Sequence, residues 1–234
     1  IRTEEDLDNY ALKIKDLIGA KALVHPDVFN AMSASEKNLH YPIALGDVMW
    51  KDVNEDGIIN SYDRVYQGRT VPRWTGGLGA YASWKNFSLS TRFDYALGYV
   101  QYDGPKSWFL GMMQGTFNTT QDVFNTWTPE NVNAQYPSYY FADQLFKNNT
   151  SRASSMFFNK GDYLAWREVS LAYKLPKGIA ERVKLEDLSV SVTGQNLHYW
   201  SKSTLFSPES GSIEQGGGGY PLPRTLIFGL QLTF

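Results

Sequence analysis

Leu226-Ile227-Phe228-Gly229-Leu230-Gln231-Leu232-Thr233-Phe234 ends the 234-residue chain, and its spacing decides the fold. Leu226, Phe228, Leu230, Leu232 and Phe234 stand at every second position, with Ile227, Gly229, Gln231 and Thr233 between them. In a strand this puts the large apolar groups on one face. On a water-exposed edge such a face invites aggregation. A transmembrane barrel needs it for lipid, and protects its closing strand by pairing it with the first. The pattern therefore raises a membrane barrel above a soluble sandwich.

The same alternation recurs upstream. Residues 75–85 and 87–99 read as two strands around a turn at Asn86. In the second, Phe87, Leu89, Phe93, Tyr95, Leu97 and Tyr99 share one face and Ser88, Ser90, Arg92 and Asp94 the other. Apolar-out and polar-in over a dozen residues suits a barrel wall around a wet lumen, and taken alone it suits a half-buried antiparallel sheet equally well. Arg92 and Asp94 belong on the lumen side, where they can pair with each other or with a plug, because lipid would make them costly. Residues 163–175 and 188–197 read as further strands. In the first, Val169, Leu171, Tyr173 and Leu175 share a face while Leu164 and Trp166 are out of phase, which predicts a bulge near Arg167-Glu168. Residues 176–186 form a short charged turn, whereas 100–162 and 200–223 are long connections. Short turns on one side and long loops on the other mark outer-membrane barrels. Only about five wall strands are visible and single-chain barrels start at about eight, so the chain is expected to be the C-terminal part of a larger barrel.

The N-terminal third differs. Thr3 and Asp6 occupy capping-box positions, and Leu7, Tyr10, Ala11, Ile14, Leu17 and Ile18 follow a helical period, predicting a helix over 3–18 that stops at Gly19. Residues 20–45 read as loop with short helical turns, and 47–52 as a short strand leading into an acidic loop. The division this implies is 1–74, an extracellular loop region, and 75–234, barrel strands with their loops.

Composition narrows the function classes. Net charge is -2, which gives no electrostatic case for nucleic acid. No apolar run is long enough for a spanning helix, and a mean hydropathy of -0.38 is compatible with alternating strands. Aromatics make up 15% of the chain, and Tyr and Trp suit membrane interfaces as well as sugar stacking. Without cysteine there is no disulfide frame, thiol nucleophile or thiolate metal site. The chain starts at Ile1 with no signal peptide, as expected of a processed or partial sequence.

Six blocks in order resemble the C-terminal region of SusC/RagA-type TonB-dependent outer-membrane transporters. They are Gly46-Asp47-Val48 with Asp52-Val53-Asn54-Glu55-Asp56-Gly57-Ile58-Ile59 and Asp63-Arg64; Trp127-Thr128-Pro129-Glu130-Asn131; Gly161-Asp162-Tyr163-Leu164; Leu171-Ala172-Tyr173-Lys174-Leu175-Pro176; Ser191-Val192-Thr193-Gly194-Gln195-Asn196-Leu197; and Tyr220-Pro221-Leu222-Pro223-Arg224-Thr225. The resemblance implies an all-β fold: the C-terminal strands of a 22-stranded antiparallel transmembrane β-barrel, with long extracellular loops and one short N-terminal helix. It further implies a plug and TonB box upstream of Ile1, a SusD-like lipoprotein lid, energisation by the TonB complex, and import of oligosaccharides or peptides across the bacterial outer membrane. Gly229, Leu232 and Phe234 resemble the signal read by the barrel-assembly machinery.

Within the first block, Asp52, Asn54, Asp56, the Ile58 carbonyl and Asp63 fall at positions 1, 3, 5, 7 and 12 of an EF-hand-like loop with Gly57 at position 6, which points to calcium. Asp63 stands where Glu is usual and reaches less far. The competing reading is a solvated turn whose side chains cap their own backbone. Tyr102, Trp108, Phe109, Trp127, Tyr139 and Tyr140 in the long connection are the candidate substrate or lid contacts, in company with Met112, Met113, Phe117 and Tyr136. Aromatic faces stack on sugar rings, and they also pack loops together.

No enzyme is expected. His25, His40 and His198 lack metal or triad spacing, and the run Gly216-Gly217-Gly218-Gly219 lacks the phosphate-loop context. A glycan-cleaving site would need paired carboxylates about 5–10 Å apart, and spacing does not place Asp103, Asp122 or Glu130 so. The rival to the transporter is a secreted, soluble β-sheet glycan-binding module with a dockerin-like calcium loop.

Overall fold

The computed structural model describes residues 1–10, 13–14, 21–111, 118–203, 208–209 and 222–234. Two compact units emerge. One joins Ile1–Gln67 to Gly104–Phe157, and the other joins Gly68–Asp103 to Phe158–Phe234.

The first unit holds α1 (Glu4–Asn9), α2 (Pro26–Ala31), α3 (Ala34–Lys37) and α4 (Gly104–Gly111), with a small sheet of β1 (Lys13–Ile14), β2 (Ala22–Val24), β3 (His40–Pro42) and β4 (Ile58–Ile59) in the order β3-β2-β1-β4. Thr3 and Asp6 close the predicted capping box, the Asp6 amide donating to Thr3 Oγ1 at 3.1 Å. The helix nevertheless ends at Asn9, well short of residue 18. Tyr10 turns into the core and its hydroxyl donates to the Trp50 carbonyl at 2.7 Å. The backbone of Lys13 and Ile14 then pairs with Leu23 and with Ile58 and Ile59. Leu7 and Tyr10 fit a helical stripe and a strand-flanked core alike, so tertiary pairing decides. The remaining positions of that stripe, 11, 17 and 18, lie outside the described residues. Leu7, Tyr10, Leu23, Ile43 and Ile59 form the core. Residues 47–52, expected as a strand, adopt neither helix nor strand, and the expected loop over 20–45 carries two strands and two short helices.

The second unit is a five-stranded antiparallel sheet of β5 (Trp74–Trp84), β6 (Phe87–Leu97), β9 (Tyr163–Lys174), β10 (Asp187–Ser201) and β11 (Thr225–Thr233), ordered β11-β10-β9-β6-β5. A two-stranded ribbon, β7 (Val100–Tyr102) with β8 (Phe158–Lys160), accompanies it. A two-residue turn, Lys85-Asn86, joins β5 to β6, with Lys85 in the left-handed region. Helix α5 (Lys177–Arg182) occupies the short connection from β9 to β10. The expected bulge is present: Arg92 faces Glu168, Phe93 faces Trp166, and Arg167 is the extra residue. A second irregularity on β10 spans Asn196 and Leu197, with Asn196 in the left-handed region.

These shifts keep the two faces of the sheet chemically distinct. Leu78, Leu89, Leu171, Val192 and Phe228 line one face, all exposed, Phe228 at 77%. A polar exception, Thr91, is satisfied on the spot: its hydroxyl donates to the Glu168 carbonyl at 3.0 Å and accepts from Trp166 Nε1 at 2.8 Å. Aromatics flank this band at both ends. Phe87 and Tyr173 meet at 4.5 Å at one end; at the other, Phe93 stacks on Trp166 at 5.8 Å, beyond which stand Tyr95, Trp74 and Trp200. Ten residue steps of β6 span about 33 Å, or about 25 Å along the membrane normal at the usual tilt near 40°. The strand is therefore long enough to cross the apolar band of an outer-membrane barrel, about 25 Å tall. The opposite face carries Ser88, Ser90, Asp94, Ser170, Thr193 and Gln195.

The units are drawn differently from the 74/75 division. Residues 104–157 cluster with 1–67 because hydrogen bonds sew them together. Asn149 Oδ1 accepts from the Val48 amide at 2.9 Å, and the Ser138 amide donates to the Gly46 carbonyl at 2.8 Å. Among the described residues no helix is long and apolar enough to cross a membrane.

Candidate functional site

Arg167 organises the polar face of the second unit. As the extra residue of the bulge it is displaced from the alternation, and its guanidinium collects three partners. Nε donates to Asp94 Oδ2 at 2.7 Å, Nη1 donates to the Tyr199 hydroxyl at 2.7 Å, and Nη2 donates to Glu209 Oε1. The Tyr199 hydroxyl also donates to Glu209 Oε1 at 3.1 Å, and the Tyr163 ring stands edge-on to Tyr199 at 6.0 Å. The preceding residue, Pro208, is buried, and its carbonyl accepts from Tyr99 Oη at 2.8 Å and Gln101 Nε2 at 2.7 Å. Asp94 thus pairs with Arg167 rather than with Arg92, which lies opposite Glu168 in register. The phase break at Trp166 located the bulge in the sequence, but no local pattern says which side chain a bulge will project.

A shallow cleft of about 560 Å³ lies on the other side, lined by Trp74, Tyr95, Leu97, Leu164 and Trp200 with Asp162 and Tyr163. Five of these lining residues belong to the apolar face and its aromatic girdle, so we read the cleft as lipid-facing surface rather than as a substrate pocket.

In the first unit, the acidic loop brings the predicted residues together. Asp52 Oδ2 accepts from the Gly57 amide at 2.7 Å, Asn54 Oδ1 from the Asp56 amide at 3.3 Å, and Asp56 Oδ1 from the Ile58 amide at 2.8 Å. Asp63 accepts from the Val53 and Asn60 amides at 2.8 and 2.7 Å; these bonds, that from Asn60 first, hold its carboxyl below the usual range. Gly57 adopts φ +76°, as a sharp loop turn requires. Most of the oxygens therefore cap backbone amides, which is the turn chemistry of the competing reading. Asp52 Oδ1 differs: it is buried with no hydrogen-bond partner. Among the described residues no three His, Cys, Asp or Glu side chains converge as a cage, so a cation here would rely on Asn54 and the Ile58 carbonyl as well as carboxylates.

The six candidate aromatics separate. Tyr102 lies in the second unit, edge-on to Phe158 at 5.2 Å. Trp108 and Phe109 meet edge-on at 5.2 Å on α4, half-buried. Trp127 packs under Gly46, where an added Cβ would come within 2.6 Å of its ring and would overlap Ser138 Oγ. Tyr140 lies under the Lys147 ammonium, 5.1 Å from its ring centroid. Tyr139 is exposed. Met112, Met113 and Phe117 lie outside the described residues.

A buried polar node that spacing did not reveal joins Asp47, Lys147 and Asn149. Lys147 Nζ donates to Asp47 Oδ2 at 2.6 Å, and Asn149 Nδ2 donates to Asp47 Oδ1 at 2.9 Å. Nearby in sequence, Asp143 Oδ2 accepts from the Thr150 amide at 2.8 Å while Oδ1 is buried without a partner. Burial pushes the Asp143 carboxyl up from 3.8. A raised folded-state pKa means that the protonated acid is the favoured buried form. Its stabilising contribution is complete below pH 3.8 and is lost as pH rises through the folded value. Asp143→Asn is therefore expected to increase amide protection at Thr150 at neutral pH, with the gain shrinking toward pH 4. Hydrogen exchange on the intact protein across that range checks it; a gain independent of pH would show that burial of the charge is not the cause.

No protein-family model matches the chain. TonB-dependent receptor P26 of Formosa agariphila is 30% identical over 207 residues, which are 84% of this chain and 20% of that protein. Over this stretch the chain is similar to a TonB-dependent receptor. A second relative, TonB-dependent receptor P3 of the same organism, is 26% identical over 202 residues, 81% of the chain and 19% of the relative. The chain thus spans about a fifth of the length of each. The solved RagAB peptide transporter superposes with TM-score 0.55 at 24% identity, over 70% of this chain and 17% of that one. The RagAB peptide importer in its closed-closed state superposes with TM-score 0.60 at 24% identity, over 78% and 20%. These solved structures share the fold. The five strands have the fold of outer-membrane barrel wall, in which the apolar face is the lipid side and the Arg167 face the lumen side. The relatives are receptors, not enzymes, and the soluble-module reading falls away.

Proposed function

We propose that this chain supplies barrel wall and extracellular loops to a TonB-dependent importer of oligosaccharides, working with a SusD-like surface lipoprotein as lid and energised by the TonB complex. The observation that supports it best is the two-faced five-stranded sheet, apolar outward and polar inward between aromatic girdles, with short turns at one end only. Aromatics on the first unit, Tyr139 among them, favour glycans. RagAB, named for peptide transport, supports peptides as the second reading. Uptake of labelled oligosaccharides and peptides by cells carrying the full transporter and its lid tests this. Uptake lost on TonB deletion is the expected result; TonB-independent uptake would overturn it.

We also propose calcium at Asp52, Asn54, Asp56, the Ile58 carbonyl and Asp63, supported by the spacing and by the unpartnered Asp52 Oδ1. Calcium added to the intact transporter is expected to slow amide exchange at residues 57 and 58, and Asp56→Ala to abolish the slowing. Exchange that ignores calcium would leave the loop a self-capped turn.

A further inference from the structure

We propose that Arg167 and Tyr199 form a carboxylate-binding site in the lumen wall, and that Glu209 is its built-in competitor. The proposal rests on the importer reading and deepens it by naming a substrate class, carboxylate-bearing molecules.

Three features carry it. The first is placement. Register puts Arg167, Asp94 and Tyr199 on the polar face, and Asp94 lies three residues before the end of β6 at Leu97, on the side of the long connections. A solute entering past those connections meets this cluster before the Ser- and Thr-lined stretch deeper along the strands, where Ser170 and Thr193 bond each other at 2.7 Å.

The second is the division of labour around the guanidinium. Asp94, on the neighbouring strand β6, holds Nε and fixes the plane. The Nη edge points at Tyr199 and at a carboxylate oxygen that comes not from the wall but from a loop residue, Glu209. An arginine fork with a phenol beside it is a donor set shaped for one planar carboxylate. Glu209 Oε1 sits in it, accepting from both Nη2 and the Tyr199 hydroxyl.

The third is exchangeability. Two carboxylates share one guanidinium, so Asp94 already neutralises the arginine and Glu209 is held with correspondingly less Coulomb energy. The Glu209 side chain is 26% exposed, against 12% for Arg167. Replacing Glu209 at the fork by the carboxylate of a solute keeps the number of charge-assisted hydrogen bonds to the arginine unchanged. The water lost by the incoming carboxylate is offset by the water Glu209 regains, and the arginine is never left without an anion. A neutral solute makes no such replacement, because its arrival would leave the Nη edge without an anion. The cluster therefore discriminates by charge, while Glu209 keeps the arginine satisfied between arrivals. The same geometry accepts the C-terminal carboxylate of a peptide or the carboxylate of a uronate sugar.

The test uses the full transporter with its lid and two pairs of probes: a short peptide with a free C-terminus against its C-terminal amide, and an oligouronate against its carboxyl-reduced neutral form. The parent protein is expected to prefer the carboxylate member of one pair by about tenfold, and the responding pair identifies the source. Glu209→Gln should tighten that probe several-fold and leave its neutral twin unchanged. Arg167→Gln should erase the preference. Tyr199→Phe, which keeps the arginine pair intact, should reduce it partway and serves if Arg167→Gln does not fold. Equal affinity within both pairs, or a Glu209→Gln protein indistinguishable from the parent, overturns the carboxylate site alone if the neutral probes still bind. Failure of all four probes to bind overturns the importer reading and this site together.

Discussion

Val192→Arg is expected to cost the barrel about 1–2 kcal/mol of folding stability, because it places a guanidinium against lipid one residue pair in from the Phe87–Tyr173 end of the band. Val192 lies between Leu171 on β9 and Phe228 on β11, and all three are exposed on the apolar face. The neighbouring Gln195 is on the other face, opposite Glu168, with Nε2 donating to Glu168 Oε2 at 3.1 Å. Gln195→Arg on that face meets a carboxylate in a wet lumen and should stay within about 0.5 kcal/mol. Refolding of the full transporter into lipid vesicles over a urea series, read by heat-shifted electrophoretic mobility, compares the two. Equal losses for both substitutions would mean that the faces have been assigned wrongly.

Asp47→Ala should be the most damaging single truncation in the first unit, about 3–5 kcal/mol, the cost of leaving a buried charge without its partner. The Asp47 side chain is 1% exposed and receives Lys147, Asn149 and the Ala44 amide at 2.8 Å. Removing it strands an ammonium and two further donors at once. The double variant Asp47→Ala, Lys147→Met should recover part of the loss, since the uncompensated charge goes with the lysine. Rates of limited proteolysis within residues 1–67 of the intact receptor report the opening. If the single variant is cut no faster than the parent, the node does not hold this unit together.

Much of the wall was legible in the residues themselves. Alternation in β6 and β11 is dictated by the twofold period of a strand, so Leu89, Phe228 and Leu230 declare their face without reference to any partner. The bulge was legible for the same reason, since Leu164 and Trp166 fall out of step with Val169 and Leu171. The N-terminal helix misled because Leu7 and Tyr10 satisfy a helical stripe, and nothing local announces that residues 13 and 14 will pair with strands 9 and 45 positions further on. The acidic loop was legible as a set of oxygens at fixed spacing. That most of them cap backbone amides, and that Asp52 Oδ1 does not, depends on coordinates.

The sequence by itself determined the lipid face, the strand count of this wall and the position of its bulge, because each follows from the period of side chains along one strand. Only the tertiary structure decided that residues 104–157 fold with 1–67 around Asp47, and that Asp94 takes Arg167 rather than Arg92. It alone brought Glu209 onto the same guanidinium. Those pairings join residues from 42 to about a hundred positions apart. Chain topology, not local spacing, sets which charges meet, and a polar residue's alternation tells which face it occupies but not whose hand it takes.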